Sequence, residues 1–163
     1  MREIYRLYED TTQKPILYTN IHGTKKYPGI TGTAAFYESR EGTWVAIHVV
    51  GLPIMKEKCV SPFFACHIHE GEQCSGNEED LLADTKGHYD STNCSHPMHL
   101  GDLVPLYARN GYADMYYLIS EIDVRAFARH TLVIHAHRDD FTSQPSGASG
   151  EKIACGVIVM NDS

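Results

Sequence analysis

Thr31-Gly-Thr-Ala-Ala-Phe-Tyr-Glu38-Ser-Arg-Glu-Gly42-Thr43-Trp-Val-Ala-Ile-His-Val-Val50 decides the fold class. Two β-rich runs, Thr31–Glu38 and Thr43–Val50, flank Glu38-Ser-Arg-Glu-Gly42, which reads as a tight hairpin turn. Outward from this hairpin, similar short runs recur at Ile16–Ile21, Phe63–His69, Leu103–Arg109, Ala113–Ile119, Thr131–His137 and Ile153–Met160. Gly, Pro, Asn and Asp separate them, and Asn110-Gly111 is a second hairpin signal. Helical periodicity is scarce, and Asp123–Ala128 is predicted as one helical turn capped by Asp123. Eight or so short strands in 163 residues predict one all-β domain, an antiparallel barrel or sandwich.

Two stretches break the strand pattern. Gln73–Pro97 is long and polar and carries two histidines, and Asp139–Gly150 is rich in Ser, Gly and Pro. Loops this long in a compact domain are functional or disordered, and a bound metal accounts for both of them. The net charge of −7 argues against nucleic acid, which calls for a basic footprint. It also means that an enzyme acting on an anion needs a local positive funnel. No apolar run is long enough to span a membrane. The N-terminal Met-Arg-Glu-Ile-Tyr-Arg lacks the apolar core of a secretory signal, so the expected compartment is the cytoplasm, or the periplasm or exterior if a leader has been removed. Five cysteines allow at most two disulfides and leave one free thiol.

Histidine carries the chemistry. His67-Ile68-His69 lies in a predicted strand, where residues two apart share a face, so both imidazoles can reach one metal. A wet cross-strand polar pair is the plain alternative, and the two weigh about equally on this motif alone. A cupin also uses His-x-His, but its glutamate follows several residues later, and Glu70 and Glu72 come too early. His88, His96, His99 and Asp102 supply four N/O ligands from one loop, a closed tetrahedral zinc shell. Asp90 and Cys94 lie in the same loop and compete as ligands, since thiolate suits zinc. His135 or His137, in Thr131-Leu-Val-Ile-His-Ala-His137, could complete an imidazole shell for copper. Cys66 should point to the opposite face from His67 and act as a small core residue, and Cys59 has no assigned role.

Four motifs in order make the pattern specific: Phe-Phe-Ala-Cys-His-Ile-His-Glu-Gly, the His88 loop ending His-Leu-Gly-Asp-Leu, Thr-Leu-Val-Ile-His followed by Asp-Asp, and Ser-Gly-Glu-Lys-Ile-Ala-Cys-Gly-Val-Ile. From about Gly32 to Val159 the chain resembles the copper/zinc superoxide dismutases, most of all short bacterial forms with a compressed zinc loop. The resemblance implies a flattened eight-stranded Greek-key barrel with two long functional loops. It implies copper at His67, His69, His88 and His135, and zinc at His88, His96, His99 and Asp102, with His88 as the bridge. It places Asp139 behind the ligands, hydrogen-bonded to one imidazole of each metal, and pairs Cys74 with Cys155 as an intrachain disulfide. Superoxide is the implied substrate, His88 the proton carrier and a homodimer the implied assembly. Residues 1–30 are then an unassigned N-terminal extension, with room for an extra strand, ahead of a barrel over 31–163.

The chain departs from the family pattern at several places. Lys152 stands where the family has an arginine at the mouth of the copper site, and is expected to guide superoxide without the forked donor geometry. Arg129-His130 replaces a Gly-Arg pair, and the Asp139–Gly150 loop lacks the family's charged cluster. Two other readings compete. One is a non-catalytic copper/zinc-binding protein on the same barrel. The other is a zinc hydrolase with Glu70 or Glu72 as base and an open zinc position at His67 and His69.

Overall fold

The computed structural model describes residues 14–54, 60–120 and 122–161. Its strands, in chain order, are β1 (Leu17–Gly23), β2 (Thr31–Glu38), β3 (Thr43–Val50), β4 (Phe63–Phe64), β5 (Cys66–His69), β6 (Leu106–Tyr107), β7 (Tyr112–Ile119), β8 (Thr131–His135), β9 (Lys152–Val157) and β10 (Val159–Met160). All pair antiparallel. One curled sheet runs β5-β8-β9-β1-β2-β3-β7, with β10 also on β1, and β4 pairs β6 in a separate ribbon. β4 leads through Ala65 into the edge strand β5. β6 leads through Asn110-Gly111, both at positive φ (53° and 79°), into the other edge strand β7. The ribbon therefore joins the two free edges, and the sheet is the all-β barrel that the strand pattern predicts.

Alternation builds the core. In β3, Thr43, Val45, Ile47 and Val49 are buried and His48 is exposed. Leu17, Phe36, Phe64, Phe127, Leu132 and Ile134 fill the interior, with the Phe36 and Phe127 rings 6.0 Å apart and edge-on. β5 and β8 depart from alternation and are buried at every residue. Their inner face carries Cys66, Ile68, Leu132 and Ile134; their outer face lies under the two long loops, where Val133 packs with Leu82 and Cys155. A strand covered on both faces loses the alternation of buried and exposed residues.

Thr31–Glu38 and Thr43–Val50 appear with the predicted bounds, and Ser39 N donates to Gly42 O at 2.8 Å in the turn between them. Asp123 caps Val124–Phe127 by accepting from Arg125 N. The run Phe63–His69 breaks at Ala65, and Ile153–Met160 breaks at Ile158. Each break marks a change in pairing: β4 binds β6 whereas β5 binds β8, and β9 lies between β8 and β1 whereas β10 keeps only β1. Leu103–Arg109 shortens to Leu106–Tyr107, the only two residues that meet β4. Thr131–His137 stops at His135, next to a register shift at Ile134/His135. Within residues 1–30, Leu17–Gly23 is a central strand of the sheet rather than an appendage, because Leu17, Thr19 and Ile21 point into the barrel. Cys59 lies outside the described residues.

Cys74 and Cys155 form a disulfide, Cα–Cα 5.7 Å, that ties the Gln73–Pro97 loop to β9 across 81 residues of sequence. Closing a loop of that length removes about 4.5 kcal/mol of chain entropy from the unfolded state. The Cys74→Ala/Cys155→Ala protein is expected to be less stable by an amount near that figure, read from denaturant midpoints. An unchanged midpoint would show that the loop is held by its other contacts.

Candidate metal centre

The edge of β5 organises the site. Ile68 N donates to Gly101 O and Tyr89 N donates to Ile68 O, both at 2.8 Å, and Glu70 N donates to Gly87 O at 2.9 Å. These bonds dock both ends of the histidine loop on the strand and set His88 opposite His69 and Asp102 opposite His67. The docking needs Gly101: a Cβ there would stand 2.3 Å from Ile68 O. His67 and His69 share the outer face of β5, and His135 joins them from β8.

Two groups result, sharing one member. Ligand-capable atoms of His67, His69, His88 and His135 lie within 4.8 Å of one another, as do those of His88, His96, His99 and Asp102. Hydrogen bonds fix where the protons sit. His67 Nε2 donates to Asp139 Oδ2 (2.8 Å), His69 Nδ1 to the Lys86 carbonyl (2.9 Å) and His135 Nδ1 to the Gly150 carbonyl (3.2 Å). Each neutral ring then turns a bare lone pair inward. His69 Nε2 and His135 Nε2 face each other at 3.2 Å, and His67 Nδ1 and His88 Nε2 are buried without a partner. In the second group His96 Nε2 donates to Asp139 Oδ1 (2.9 Å), which leaves His96 Nδ1, an acceptor, 3.0 Å from Asp102 Oδ2. His99 Nδ1 stands 3.3 Å from the same carboxylate and 3.4 Å from His88 Nδ1. Buried lone pairs facing lone pairs repel unless a cation lies between them, so the residues fit two metal ions. Four imidazoles suit copper, and three imidazoles with a carboxylate suit zinc.

Burial, reinforced by neighbouring imidazoles, pushes His67 and His69 each down to about 2. Burial takes His135 to about 4, against the opposing pull of the Gly150 carbonyl. These rings stay neutral across the whole physiological range, the form that binds metal. Burial pushes the Asp102 carboxyl up, but the His88 hydrogen bond and the adjacent imidazoles outweigh it and hold the group below its ordinary value.

Asp139, 4% exposed, orients one ring of each group at once. Gly147, at φ 67°, makes room for it: a Cβ there would lie 1.9 Å from Asp139 Oδ1 and 2.8 Å from His96 Nε2. Gly147→Ala is therefore expected to act as a second-layer metal mutation and weaken metal affinity about 10- to 100-fold. Competition against a chelator series measures this, and wild-type affinity in the variant would mean that the loop gives way freely.

The remaining sequence candidates separate. His137 is exposed and stands outside both groups. Cys94 is exposed and also outside, and Asp90 is spent on its own loop, accepting from Thr92 N and Cys94 N. Glu72 pairs with Arg129 at 2.8 Å, and neither Glu70 nor Glu72 joins the cluster. Cys66 is fully buried on the core face, where burial raises its thiol to about 12. Lys152 is not a free cation: its Nζ donates to Asp80 Oδ2 (2.9 Å) and to the Leu82 carbonyl (3.1 Å). Sequence reasoning missed the anchoring carbonyls of Lys86 and Gly150, which carry no side-chain signature. It also missed Gln144, whose side chain clamps the His96 backbone by accepting from its N–H (3.1 Å) and donating to its carbonyl (2.6 Å).

Comparison with known proteins agrees with this donor set. Residues 30–158 match the sequence model of a family described as copper/zinc superoxide dismutase. A superoxide dismutase [Cu-Zn] of Legionella pneumophila is 30% identical over 146 residues, covering 85% of this chain and 83% of that protein. Superoxide dismutase [Cu-Zn] 2 of Aquifex aeolicus is 28% identical over 144 residues, 79% of each chain. The solved Cu/Zn superoxide dismutase from Brucella abortus superposes with a TM-score of 0.68 at 23% identity, covering 86% of this chain and 97% of that one. A SOD-like protein from Bacillus subtilis superposes with the same score at 21% identity, covering 86% and 96%; at these identities both likenesses speak to the fold.

Proposed function

The chain belongs to the copper/zinc superoxide dismutase family, an oxidoreductase family that uses copper and zinc, and from that premise we propose that it disproportionates superoxide to oxygen and hydrogen peroxide at a paired centre sharing His88. The observation that carries this reading is the position of His88. Its Nδ1 faces Asp102 and His99, and its Nε2 is buried and unpartnered beside His67 and His69. The other imidazoles of the copper group each donate one N–H outward; His88 turns both nitrogens inward.

Copper held by His67, His69, His88 and His135 supplies the one-electron cycle, and zinc, which has no redox chemistry, supplies charge and shape at His88, His96, His99 and Asp102. The chain's own residues do the rest. Asp139 fixes the tautomers of His67 and His96, and the Lys86 and Gly150 carbonyls fix those of His69 and His135. With Nδ1 committed to the Asp102 side, His88 Nε2 is the atom that takes up a proton and passes it to the departing peroxide. Lys152, in register with His135 across β8 and β9, stands beside the candidate copper group with its ammonium held by Asp80.

The disulfide favours an oxidising compartment, so we place the protein in the periplasm rather than the cytoplasm. Among the described residues no helix is long and apolar enough to cross a membrane. The test is reconstitution with copper and zinc followed by a superoxide-consumption assay. Catalysis is the expected result; a protein loaded with both metals yet inactive refutes the enzyme reading and leaves metal binding.

A further inference from the structure

Beside His135 lies a depression of ≈ 320 Å³ whose wall includes Lys26, Glu79, Asp80, Glu151 and Lys152. It is adjacent to the candidate copper group: its wall includes Gly150, whose carbonyl accepts from His135 Nδ1, and the Cα of Lys152 is the register partner of His135. Cross-strand partners in an antiparallel pair project to the same face, so the Lys152 side chain rises on the His135 side of the sheet. Both cations of the depression are already paired. Lys152 Nζ meets Asp80 Oδ2 at 2.9 Å, and Lys26 Nζ meets Glu151 Oε1 at 2.6 Å. With Glu79 unbalanced, the wall is net negative close to the candidate copper group.

We propose that Asp80 is a positioning residue that draws the Lys152 ammonium onto the Asp80–Leu82 turn and neutralises it, so that Asp80 sets how tightly this centre takes small anions. The proposal rests on the copper reading given above. The turn is built for the role. Asp80 Oδ1 accepts from Leu82 N at 3.0 Å, which fixes the carboxylate and leaves Oδ2 for the ammonium, while the Leu82 carbonyl takes a second proton of Nζ at 3.1 Å. Lys152 keeps 16% of its side-chain exposure and Asp80 44%, so the anchored end of the lysine is sheltered and the masking charge faces solvent. Burial pushes the Asp80 carboxyl up, yet Lys152 and the Leu82 N–H outweigh it, so the carboxylate stays charged at neutral pH.

The test uses the copper- and zinc-loaded protein with azide as anion probe, binding being read from the visible spectrum rather than from turnover. Asp80→Asn is expected to tighten azide binding about fivefold near 0.1 M ionic strength and much less near 1 M, where the Debye length falls to about 3 Å. In a Lys152→Gln background the same Asp80→Asn change should have less than about half that effect, because Asp80 acts through the lysine. Equal affinities in wild type and Asp80→Asn, no azide binding by either, or an undiminished effect without Lys152 overturns the proposal. Failure of the dismutase reading shows separately, as absent superoxide consumption by a loaded wild-type protein whose azide response is intact.

Discussion

His88→Ala is expected to lower superoxide consumption by roughly 10²- to 10⁴-fold, the range for losing a positioned proton carrier, and to weaken both metals at once. The double loss follows from geometry, since His88 alone has Nδ1 in one donor group and Nε2 in the other. His99→Ala provides the contrast: His99 belongs to the zinc group only, so its removal should spare copper binding. Metal stoichiometry and turnover measured on both variants separate the two cases. The metal-free proteins should differ much less. The backbone bonds that dock this loop, Tyr89 N to Ile68 O among them, do not need the imidazole; deleting His88 removes one buried unpartnered nitrogen but also the donor to Asp102 Oδ1. The two effects oppose, so metal-free His88→Ala should lie close to metal-free wild type in stability. Full activity in the variant, or retention of both metals at wild-type affinity, contradicts the shared-ligand reading.

Acid should dismantle the metal-free protein well before ordinary carboxylates titrate. His67 and His69 sit at about 2 and His135 at about 4, all below the ordinary histidine value of 6.5. Below pH 6.5 the unfolded chain binds protons that the folded chain refuses, so the stability present above that pH is lost as pH falls toward the folded values. Three such groups lose about 4 kcal/mol per pH unit together, or about 6 kcal/mol by pH 5, against a typical total of 5–15 kcal/mol. Asp102, held below its ordinary value, adds loss of the same sign at lower pH. Guanidinium midpoints of the disulfide-intact, metal-free protein at pH 7 and pH 5 measure the effect, and coincident midpoints would rule it out. Saturation with copper and zinc should restore stability at pH 5, because the metals bind the neutral rings of the folded state only.

The hairpin Thr31–Val50 was fully legible, since one alternating face and one turn specify it. His67-Ile68-His69 was legible as a shared face for the same period-two reason. Strand ends were less so: nothing local to Ala65 says that the chain changes partner there, or to Ile158 that it leaves β8, because the neighbour across the sheet is distant in sequence. The choice of His135 over His137 was likewise open, as both lie on one face of an ideal strand. The register shift beside His135 and the end of β8 resolved it. Lys152 shows the same limit most clearly, since its charge is visible in the chain but its partner Asp80 is 72 residues away.

The chain's own pattern thus determined an all-β barrel, the residue types that bind two metals and the cysteines available for a cross-link. Tertiary structure alone decided which nitrogen of each ring faces inward, that Cys94 stands aside and that Lys152 is masked. The reason is physical: strand periodicity and ligand chemistry are local properties of a sequence, whereas tautomer, burial and charge pairing depend on groups that only folding brings within hydrogen-bonding distance.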